Sequence, residues 1–392
     1  MYDFETVIDR AGTDSTKYYF HPESKYEEVI PMFIADMDFE TAPAVKKAIM
    51  DRAAHGIYGY TVYHSNYYAA VVQWMKNRHD LDINSRWITT SPGVVAALKN
   101  AVVAFTQPGD AILIQEPVYH FFRAAPESNG RKVVSNDLVF ENGAYHIDFC
   151  DFEKKISSNN VKLFILCNPH NPTGNVWTRD ELYQMGMICK KYNVLVVADE
   201  IHQDFVFPGN KHTSFLSVDS TFEDFSILCT SPSKTFNLAG IKASNIIIPN
   251  ESLRKTFDQV KNAHGLGGSN AFGSCAVIAA YTNGADWVDH LVAYIQENFL
   301  YLDQFLKEKF PMLSLINHQA LYLAWIDCRA WNMQGDDLKH FFTYDCGILP
   351  SMGEEFGSGG SGFVRLNLAC PRCTLVKALH QLEVGATERG LL

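Results

Sequence analysis

One lysine, Lys234, follows the apolar run "FSILCTS" (225–231) and lies in the string "SPSKTFNLAG" (231–240). Taken alone, a lysine in a polar turn is most simply a solvated side chain. A lysine that is desolvated or placed beside other charges has a lowered pKa, however, and can act as a nucleophile or a base. The chemistry of Lys234 therefore depends on the residues that the fold places around it.

Other polar residues also follow apolar runs. Asp199 and Glu200 end one such run, where a buried carboxylate is costly unless it is paired with a cation. Asn171 lies in "CNPHNPTG" (167–174), whose prolines, asparagines and glycine make a rigid turn whatever the function. Because chemistry collects past the carboxyl ends of strands in open parallel sheets, these side chains are expected to lie near Lys234.

A helix start and an aromatic residue add to this set. The string "SPGVVAAL" (91–98) turns at Gly93 and continues as a helical pattern, so Val94 and Val95 would present free backbone N–H groups to a phosphate. Most helices begin with a similar turn, and Tyr119, which follows another strand, is by itself more simply a core or rim aromatic. Together, the five features describe a site for an anionic cofactor that has a cationic ring.

The elements that would position these residues form an α/β pattern. Apolar runs at 111–117, 161–169, 194–200 and 225–231 are continuous rather than alternating, which is typical of strands buried on both faces of a parallel sheet. Helical patterns separate them; the one that follows Thr178 begins with a capping box and has one apolar side. The chain is therefore predicted to be a layered α/β protein.

The two ends of the chain differ from its middle. Residues 1–45 contain no comparable series of strands, and a long helical pattern from about residue 290 precedes short strand-like pieces around "GEEFGSGGSG" (353–362), which is expected to be a flexible loop. We predict a large domain over 46–288, a smaller α/β domain over 289–392, and an N-terminal arm over 1–45 that packs with the smaller domain.

Composition excludes several classes of protein. A net charge of −11 without a Lys/Arg-rich run argues against a nucleic-acid partner. The N-terminus lacks the apolar stretch of a secretory signal, and no apolar run approaches the ~20 residues of a membrane-spanning helix. Nine cysteines suit the free thiols of a reducing cytoplasm, and Cys370 and Cys373 lack a second ligand pair, so we expect no metal site.

Several strings together resemble a known family. "NPHNPTG", "DEIH" and "SPSKTFNLAG" resemble those of fold-type I pyridoxal-phosphate (PLP) enzymes, the aspartate aminotransferase superfamily. "ADMDF" (35–39), "GIYGYT" (56–61), "EPVYHFF" and "RLNLACPR" (365–372) are similar to the MalY/PatB-type branch of cystathionine β-lyases and cysteine-S-conjugate β-lyases. The resemblance implies a large domain with a mostly parallel seven-stranded sheet and a smaller C-terminal α/β domain.

The resemblance also implies roles for individual residues. Lys234 would bind PLP covalently and later move the proton of the substrate Cα. Asp199 would face the pyridine nitrogen and keep it protonated, since such a pair at ~4 Å and an effective dielectric constant of ~20 is worth about 4 kcal/mol. Asn171 and His202 would lie at the phenolate oxygen of the ring, and Tyr119 would stack on the ring; Asn171 and Tyr119 would also contact the substrate.

The remaining implied roles concern the phosphate and the substrate carboxylate. Lys242 stands eight residues after Lys234, where transaminases of the superfamily carry an arginine. Lys242 would supply a point charge to the phosphate, and the alternative is that it is a solvated surface lysine. Tyr60 would reach the phosphate of the partner in a homodimer with shared active sites, or else be a core tyrosine. Arg365 would bind the substrate α-carboxylate through its planar fork. The other residues expected at the phosphate are Gly93, Val94, Val95, Ser231 and Ser233.

The resemblance implies a PLP-dependent carbon–sulfur β-lyase that cleaves the small molecules L-cystathionine, L-cysteine or cysteine S-conjugates by β-elimination to a thiol (or sulfide), pyruvate and ammonia. An aminotransferase is the alternative, since it shares the core residues named above and differs in the branch-specific strings and at the position of Lys242. A regulatory PLP-binding protein is a second alternative, although the intact set of Lys234, Asp199 and Arg365 argues against binding alone.

Overall fold

The structure of the chain, a computed structural model, describes residues 2–316 and 318–392 around a central seven-stranded sheet. The strands are β1 Ile88–Ser91, β2 Ala111–Ile114, β3 Lys132–Ser135, β4 Leu163–Cys167, β5 Leu195–Asp199, β6 Ser226–Thr230 and β7 Ser244–Ile247. Their order across the sheet is β1-β7-β6-β5-β4-β2-β3; β7 is antiparallel to both of its neighbours and the other pairs are parallel. The predicted α/β fold is therefore confirmed, as are the four predicted strands β2, β4, β5 and β6.

Both faces of the large sheet are covered. On β4, Leu163 and Ile165 belong to one apolar core, and Phe164 and Leu166 belong to the other. Two buried faces explain why these strands are continuous apolar runs in the sequence. The longer helices up to residue 283 are Pro43–Ala54, Ser65–His79, Val94–Phe105, Phe121–Glu127, Phe149–Asn159, Arg179–Lys191, Glu251–Ala263 and Gly273–Asn283. Within the described residues, no helix is long and apolar enough to cross a membrane.

A second, antiparallel sheet lies in the C-terminal part of the chain. Its strands are β8 Ser314–Ile316, β9 Leu323–Asp327, β10 Ser351–Met352 and β11 Phe363–Asn367, in the order β8-β9-β11-β10. The helices Ala285–Lys309 and Arg372–Arg389 flank this sheet in the sequence, and the first of them begins before the predicted residue 290.

The N-terminal arm joins this C-terminal part through backbone hydrogen bonds. Ile30–Pro31 pairs in parallel with Ile348–Leu349. The pairing supports an arm that packs with the smaller domain, and the division at 1–45, 46–288 and 289–392 stays a prediction.

The glycine-rich segment 353–362 makes close backbone and side-chain contacts, and its predicted flexibility stays a prediction. A Cβ atom on Gly353 would lie 1.9 Å from the carbonyl oxygen of Gly360, which means that two stretches of backbone touch there. Ser358 Oγ donates a hydrogen bond to Asp137 at 2.7 Å. The glycines therefore permit close backbone packing in this segment.

A buried polar cluster lies beneath the end of β5. Glu200 Oε1 accepts hydrogen bonds from the Phe215 N–H at 2.7 Å and from Asn168 Nδ2 at 3.4 Å, and Oε2 lies 3.5 Å from His212 Nε2. Burial raises the pKa of Glu200 to about 8 and lowers that of His212 to about 3. Both groups are therefore neutral at neutral pH, so Glu200 is accommodated as a neutral acid and needs no cation beside it.

The raised pKa of Glu200 predicts a pH-dependent stability. The folded chain keeps a proton that the unfolded chain releases above about pH 5, so this contribution is present at low pH and is lost as the pH rises towards about 8. Between pH 5 and pH 8, deprotonation of Glu200 is expected to lower the unfolding free energy of the wild type by on the order of a few kcal/mol. Glu200→Gln is expected to remove this decrease, as measured by urea denaturation. Glu40→Gln, at an exposed carboxylate paired with Lys46, is the matched control; equal pH slopes for wild type and Glu200→Gln would contradict the prediction.

Candidate active site

The short helix Pro232–Thr235 directly follows β6 and carries Lys234. Ser231 caps this helix, because its Oγ accepts a hydrogen bond from the Ser233 N–H at 3.1 Å. The same Oγ donates to the carbonyl oxygen of Ala243 at 2.7 Å, which ties the helix to the residue before β7. These contacts fix the backbone on which Lys234 stands.

The Lys234 side chain is half-buried and its amino group is held by a backbone oxygen. Nζ donates a hydrogen bond to the carbonyl of Ala35 at 2.6 Å. Burial and the positive charge of Arg365 lower the pKa of Lys234 to about 8, while the carboxylates of Asp36 and Asp199 act in the opposite direction. A substantial fraction of this amine is therefore neutral near pH 7 to 8, as a base or nucleophile requires.

Asp199 ends β5 and is almost fully buried. Its Oδ1 accepts a hydrogen bond from the Ile201 N–H at 3.1 Å. Burial raises the pKa of Asp199 to about 7, and the Ile201 N–H and the charge of Lys234 oppose this rise. A cation placed beside this carboxyl would keep it ionised, because an opposite charge at short range offsets the cost of burial.

His202 is buried close to these groups. Burial and the charges of Lys234 and Arg365 hold the pKa of His202 well below its usual value, so the imidazole is neutral. Its Nδ1 has no hydrogen-bond partner among the described residues. A buried nitrogen without a protein partner fits a site that is completed by a polar ligand group.

Arg365 lies on β11 and brings a buried guanidinium to the site. Nη1 donates to Asn171 Oδ1 at 3.0 Å, and Nη2 donates to the Phe33 carbonyl at 2.9 Å and to Ser351 Oγ at 3.1 Å. The guanidinium carbon lies 4.8 Å from the centre of the Phe356 ring. Nε has no partner among the described residues, and burial lowers the pKa of Arg365 to about 10.

The described hydrogen-bond acceptors of Arg365 are all neutral, and the carboxylate of Glu355 acts on the guanidinium without a hydrogen bond to it. A buried cation that is bonded only to neutral groups keeps donor capacity for an anion. The position therefore suits a small anion that arrives with a ligand, such as a carboxylate.

Tyr119 lies between these charged groups. Its backbone N–H donates to the carbonyl of Asn171 at 3.1 Å, which joins the predicted aromatic to the predicted turn. Burial raises the pKa of Tyr119 to about 12, with smaller influences from Arg365 and Asp199. The side chain is half-buried, so one part of it is open to a ligand.

The predicted helix start is present after β1. The helix Val94–Phe105 begins directly after Gly93, whose φ of 118° is a conformation that glycine adopts readily. No side chain caps this helix, so the first backbone N–H groups, including those of Val94 and Val95, lack a side-chain acceptor. Such an end has the partial positive charge and the donors that an anion needs.

Two predicted residues have no described contact with the others. The Tyr60 side chain is fully exposed at 112% relative accessibility, and the neighbouring Ile57 is 69% exposed. Lys242 is also exposed and has a φ of 50°, directly before Ala243. Within the described residues of this single chain, neither side chain is joined to the Lys234 cluster.

The sequence did not predict the groups that hold the two cations. These are the carbonyls of Phe33 and Ala35 and the hydroxyl of Ser351. The sequence also did not predict Tyr322, whose hydroxyl donates to the same Ala35 carbonyl at 2.9 Å. A backbone carbonyl has no residue-type signal. The string "ADMDF", which begins at Ala35, is the sequence feature that points to this stretch of backbone.

Comparison with known proteins agrees with this geometry. The chain matches the family model "Aminotransferase class I and II" over residues 27–382. It is 42% identical over 384 residues to cystathionine beta-lyase PatB of Bacillus subtilis (strain 168), which covers 98% of this chain and 99% of that protein. It is 33% identical over 385 residues to protein MalY of Escherichia coli (strain K12), which covers 97% and 98%.

A solved structure extends the similarity to three dimensions. Cystalysin from Treponema denticola, whose crystal structure contains a pyridoxal 5'-phosphate cofactor, has a TM-score of 0.96 at 36% identity and covers 99% of this chain and 100% of its own. The chain therefore belongs to the aminotransferase class I and II family and has the fold-type I architecture of PLP-dependent enzymes.

Proposed function

We propose that this chain is a PLP-dependent carbon–sulfur β-lyase, which releases the β-thiol of a cysteine-type amino acid and yields pyruvate and ammonia. The observation that carries the proposal is the pair formed by Lys234, an amine with a pKa of about 8, and Arg365, a buried guanidinium whose described hydrogen-bond acceptors are all neutral. The similarity to a cystathionine beta-lyase over nearly the whole chain supports the type of reaction.

The residues present fit PLP. A protonated ring nitrogen would supply the cation that buried Asp199 requires, and the unpartnered Nδ1 of His202 is available to a polar group of the ring. The uncapped helix start at Val94 suits the phosphate. When bound, PLP supplies an electron sink that makes the substrate Cα proton removable and allows a β-substituent to leave.

The protein residues bind, orient and deprotonate the substrate. Arg365 binds the α-carboxylate, and the ring of Phe356 beneath the guanidinium fixes the plane of that fork. Asn171 holds the edge of the same guanidinium and thereby sets its direction. Lys234, as the neutral amine, accepts the Cα proton; a base with a pKa close to the working pH is suited to that step.

The other predicted residues of the site are assigned to the cofactor ring, the substrate and the phosphate. Tyr119 provides the aromatic face for the ring and a contact for the substrate. Lys242 supplies a point charge to the phosphate, which is supported by its place next to Ala243, the residue that binds the capping Ser231. The remaining phosphate ligands are Gly93, Val94, Val95, Ser231 and Ser233.

The reaction is tested by the products that one substrate gives. Purified protein incubated with L-cystathionine is expected to release pyruvate and thiol in equal amounts without an added keto acid, and L-cysteine or an S-conjugate is expected to do the same. Lys234→Ala is expected to lose the visible absorbance of bound PLP and nearly all activity. Borohydride reduction of the wild-type protein should fix the cofactor on Lys234, which peptide mapping by mass spectrometry would identify.

The competing reaction is amino-group transfer. If transfer to a keto acid is faster than elimination on the same substrate by tenfold or more, about 1.4 kcal/mol of barrier, the chain is an aminotransferase. PLP binding without either reaction would instead indicate a regulatory protein.

Replacement of Arg365 tests the carboxylate site. Lysine keeps the charge but loses the planar fork, so Arg365→Lys is expected to raise KM for cystathionine about tenfold or more, with a smaller effect on kcat. Arg329→Lys is the matched control, because Arg329 lies over the Phe363 ring and pairs with Asp327 at 2.7 Å. If the two variants have the same KM as wild type, Arg365 does not bind the substrate.

The active unit is proposed to be a cytoplasmic homodimer with shared active sites. An exposed segment that contains Ile57, Tyr58, Tyr60 and Val62 is the kind of apolar surface that a subunit interface covers. All nine cysteines lie in the described ranges and are free thiols, which a reducing compartment maintains. In this proposal Tyr60 reaches the phosphate of the partner.

Co-expression of two inactive variants tests the shared site. If Tyr60 acts across the interface, a heterodimer of Tyr60→Ala and Lys234→Ala chains has one intact site and one doubly defective site. With random pairing, about half of the dimers are heterodimers, and one of the two sites in each is intact. The mixture should therefore have about one quarter of the wild-type activity per dimer. Activity equal to the mean of the two separate variants would place Tyr60 in its own subunit's site or outside any site.

A further inference from the structure

The carbonyl oxygen of Ala35 accepts hydrogen bonds from two side chains. One donor is Nζ of Lys234 at 2.6 Å, and the other is the hydroxyl of Tyr322 at 2.9 Å. The donors come from distant parts of the chain, since Lys234 follows β6 and Tyr322 directly precedes β9. The two side chains therefore meet at one atom of the N-terminal arm.

Tyr322 is held rigidly in this position. Its side chain is fully buried, and its ring lies 4.8 Å from the ring of Phe205 and 5.9 Å from that of His202, measured between centroids. Its carbonyl accepts a hydrogen bond from the Leu368 N–H at 2.8 Å. The hydroxyl therefore has little freedom to leave the Ala35 carbonyl.

We propose that Tyr322 is a positioning residue for Lys234: its hydroxyl shares the Ala35 carbonyl with the Lys234 amino group and so limits how tightly that amino group is held. The inference rests on the proposed function, in which Lys234 binds PLP and moves the substrate proton. Both tasks require an amino group that can leave its resting acceptor.

The direction of the effect follows from competition for one oxygen. A carbonyl that already accepts a hydroxyl proton offers less electron density to a second donor, and an ammonium gains more than a neutral amine from a strong acceptor. Without the Tyr322 hydroxyl, the Ala35 carbonyl accepts only from Lys234. The stronger hydrogen bond favours the ammonium form of Lys234 and holds it in place. Phenylalanine leaves no unsatisfied acceptor, because Lys234 still donates to that oxygen.

Other groups around Lys234 also affect its protonation. Arg365 from β11 disfavours the ammonium, and the carboxylates of Asp36 in the arm and Asp199 at the end of β5 favour it. His202 is a further titratable neighbour of Lys234, and Tyr119 is a neighbour of Tyr322. Tyr322→Phe leaves all of these other groups in place, so a shift can be assigned to the lost hydroxyl.

The experiment measures PLP capture by the full-length protein after its cofactor has been removed. In this step the neutral amine forms a bond to the PLP aldehyde carbon, and the aldehyde oxygen leaves as water with the amine protons. The rate is followed by absorbance between pH 6.5 and pH 9, and borohydride reduction with peptide mapping identifies the lysine. We expect Tyr322→Phe to slow capture at pH 7.5 about threefold to tenfold, the range of one hydrogen bond, and to raise the pH midpoint of the rate.

Two further variants make the result specific. Tyr67→Phe removes another buried hydroxyl, which donates to Asn245 Oδ1 at 2.6 Å, and should keep the wild-type midpoint. 3-Fluorotyrosine at position 322 is a stronger donor, so it should lower the midpoint, and it preserves the packing if Tyr322→Phe does not fold. The inference would be overturned if the pH midpoint of capture were unchanged in both position-322 variants. It would also be overturned if Tyr67→Phe shifted the midpoint as much as Tyr322→Phe does.

The same experiment separates this inference from the proposed function. If the cofactor maps to a lysine other than Lys234, the proposed site is wrong irrespective of Tyr322. If it maps to Lys234 while the midpoint is insensitive to Tyr322, only the role of Tyr322 fails.

Discussion

The backbone of residues 32–39 is the element on which the rest of the candidate site depends, because its carbonyls hold the side chains of both Lys234 and Arg365. The Phe33 carbonyl accepts from Arg365 and the Ala35 carbonyl accepts from Lys234. Asn367 Nδ2 donates to the carbonyls on either side of Ala35, at 2.6 Å and 2.5 Å. The separation of the two cations is thus set by a rigid stretch of main chain to which both sheets are attached.

Charged side chains of the N-terminal arm fix that stretch in turn. Lys17, only 1% exposed, pairs with Asp38 at 2.7 Å, and Arg10 pairs with Asp36 and Asp38 at 2.9 Å each. The Lys17–Asp38 pair is buried, whereas Arg10 is partly exposed. A buried pair adds little net stability, but loss of one partner leaves an uncompensated charge and costs about 3–5 kcal/mol. The arm therefore specifies where the Ala35 carbonyl lies, and through it the position of the Lys234 amine.

The parts that the sequence predicted are those in which residue type and chain direction determine the result. Continuous apolar runs identify strands with two buried faces, and the carboxyl ends of β5 and β6 bring Asp199 and Lys234 to one edge. The Ala35 carbonyl was not predictable in this way, because any residue supplies a carbonyl and its two donors lie 199 and 287 positions away. Tyr322, inside an apolar run, had the pattern of an ordinary core aromatic.

The segment 353–362 packs against itself and against the residue before Tyr119. A Cβ atom on Gly353 would touch the Gly360 carbonyl, and the Val118 N–H donates to the Phe356 carbonyl at 2.8 Å. The ring of Phe356 in turn lies beneath the guanidinium of Arg365. One short segment thus links the residue proposed to bind the substrate carboxylate to the aromatic proposed to face the cofactor.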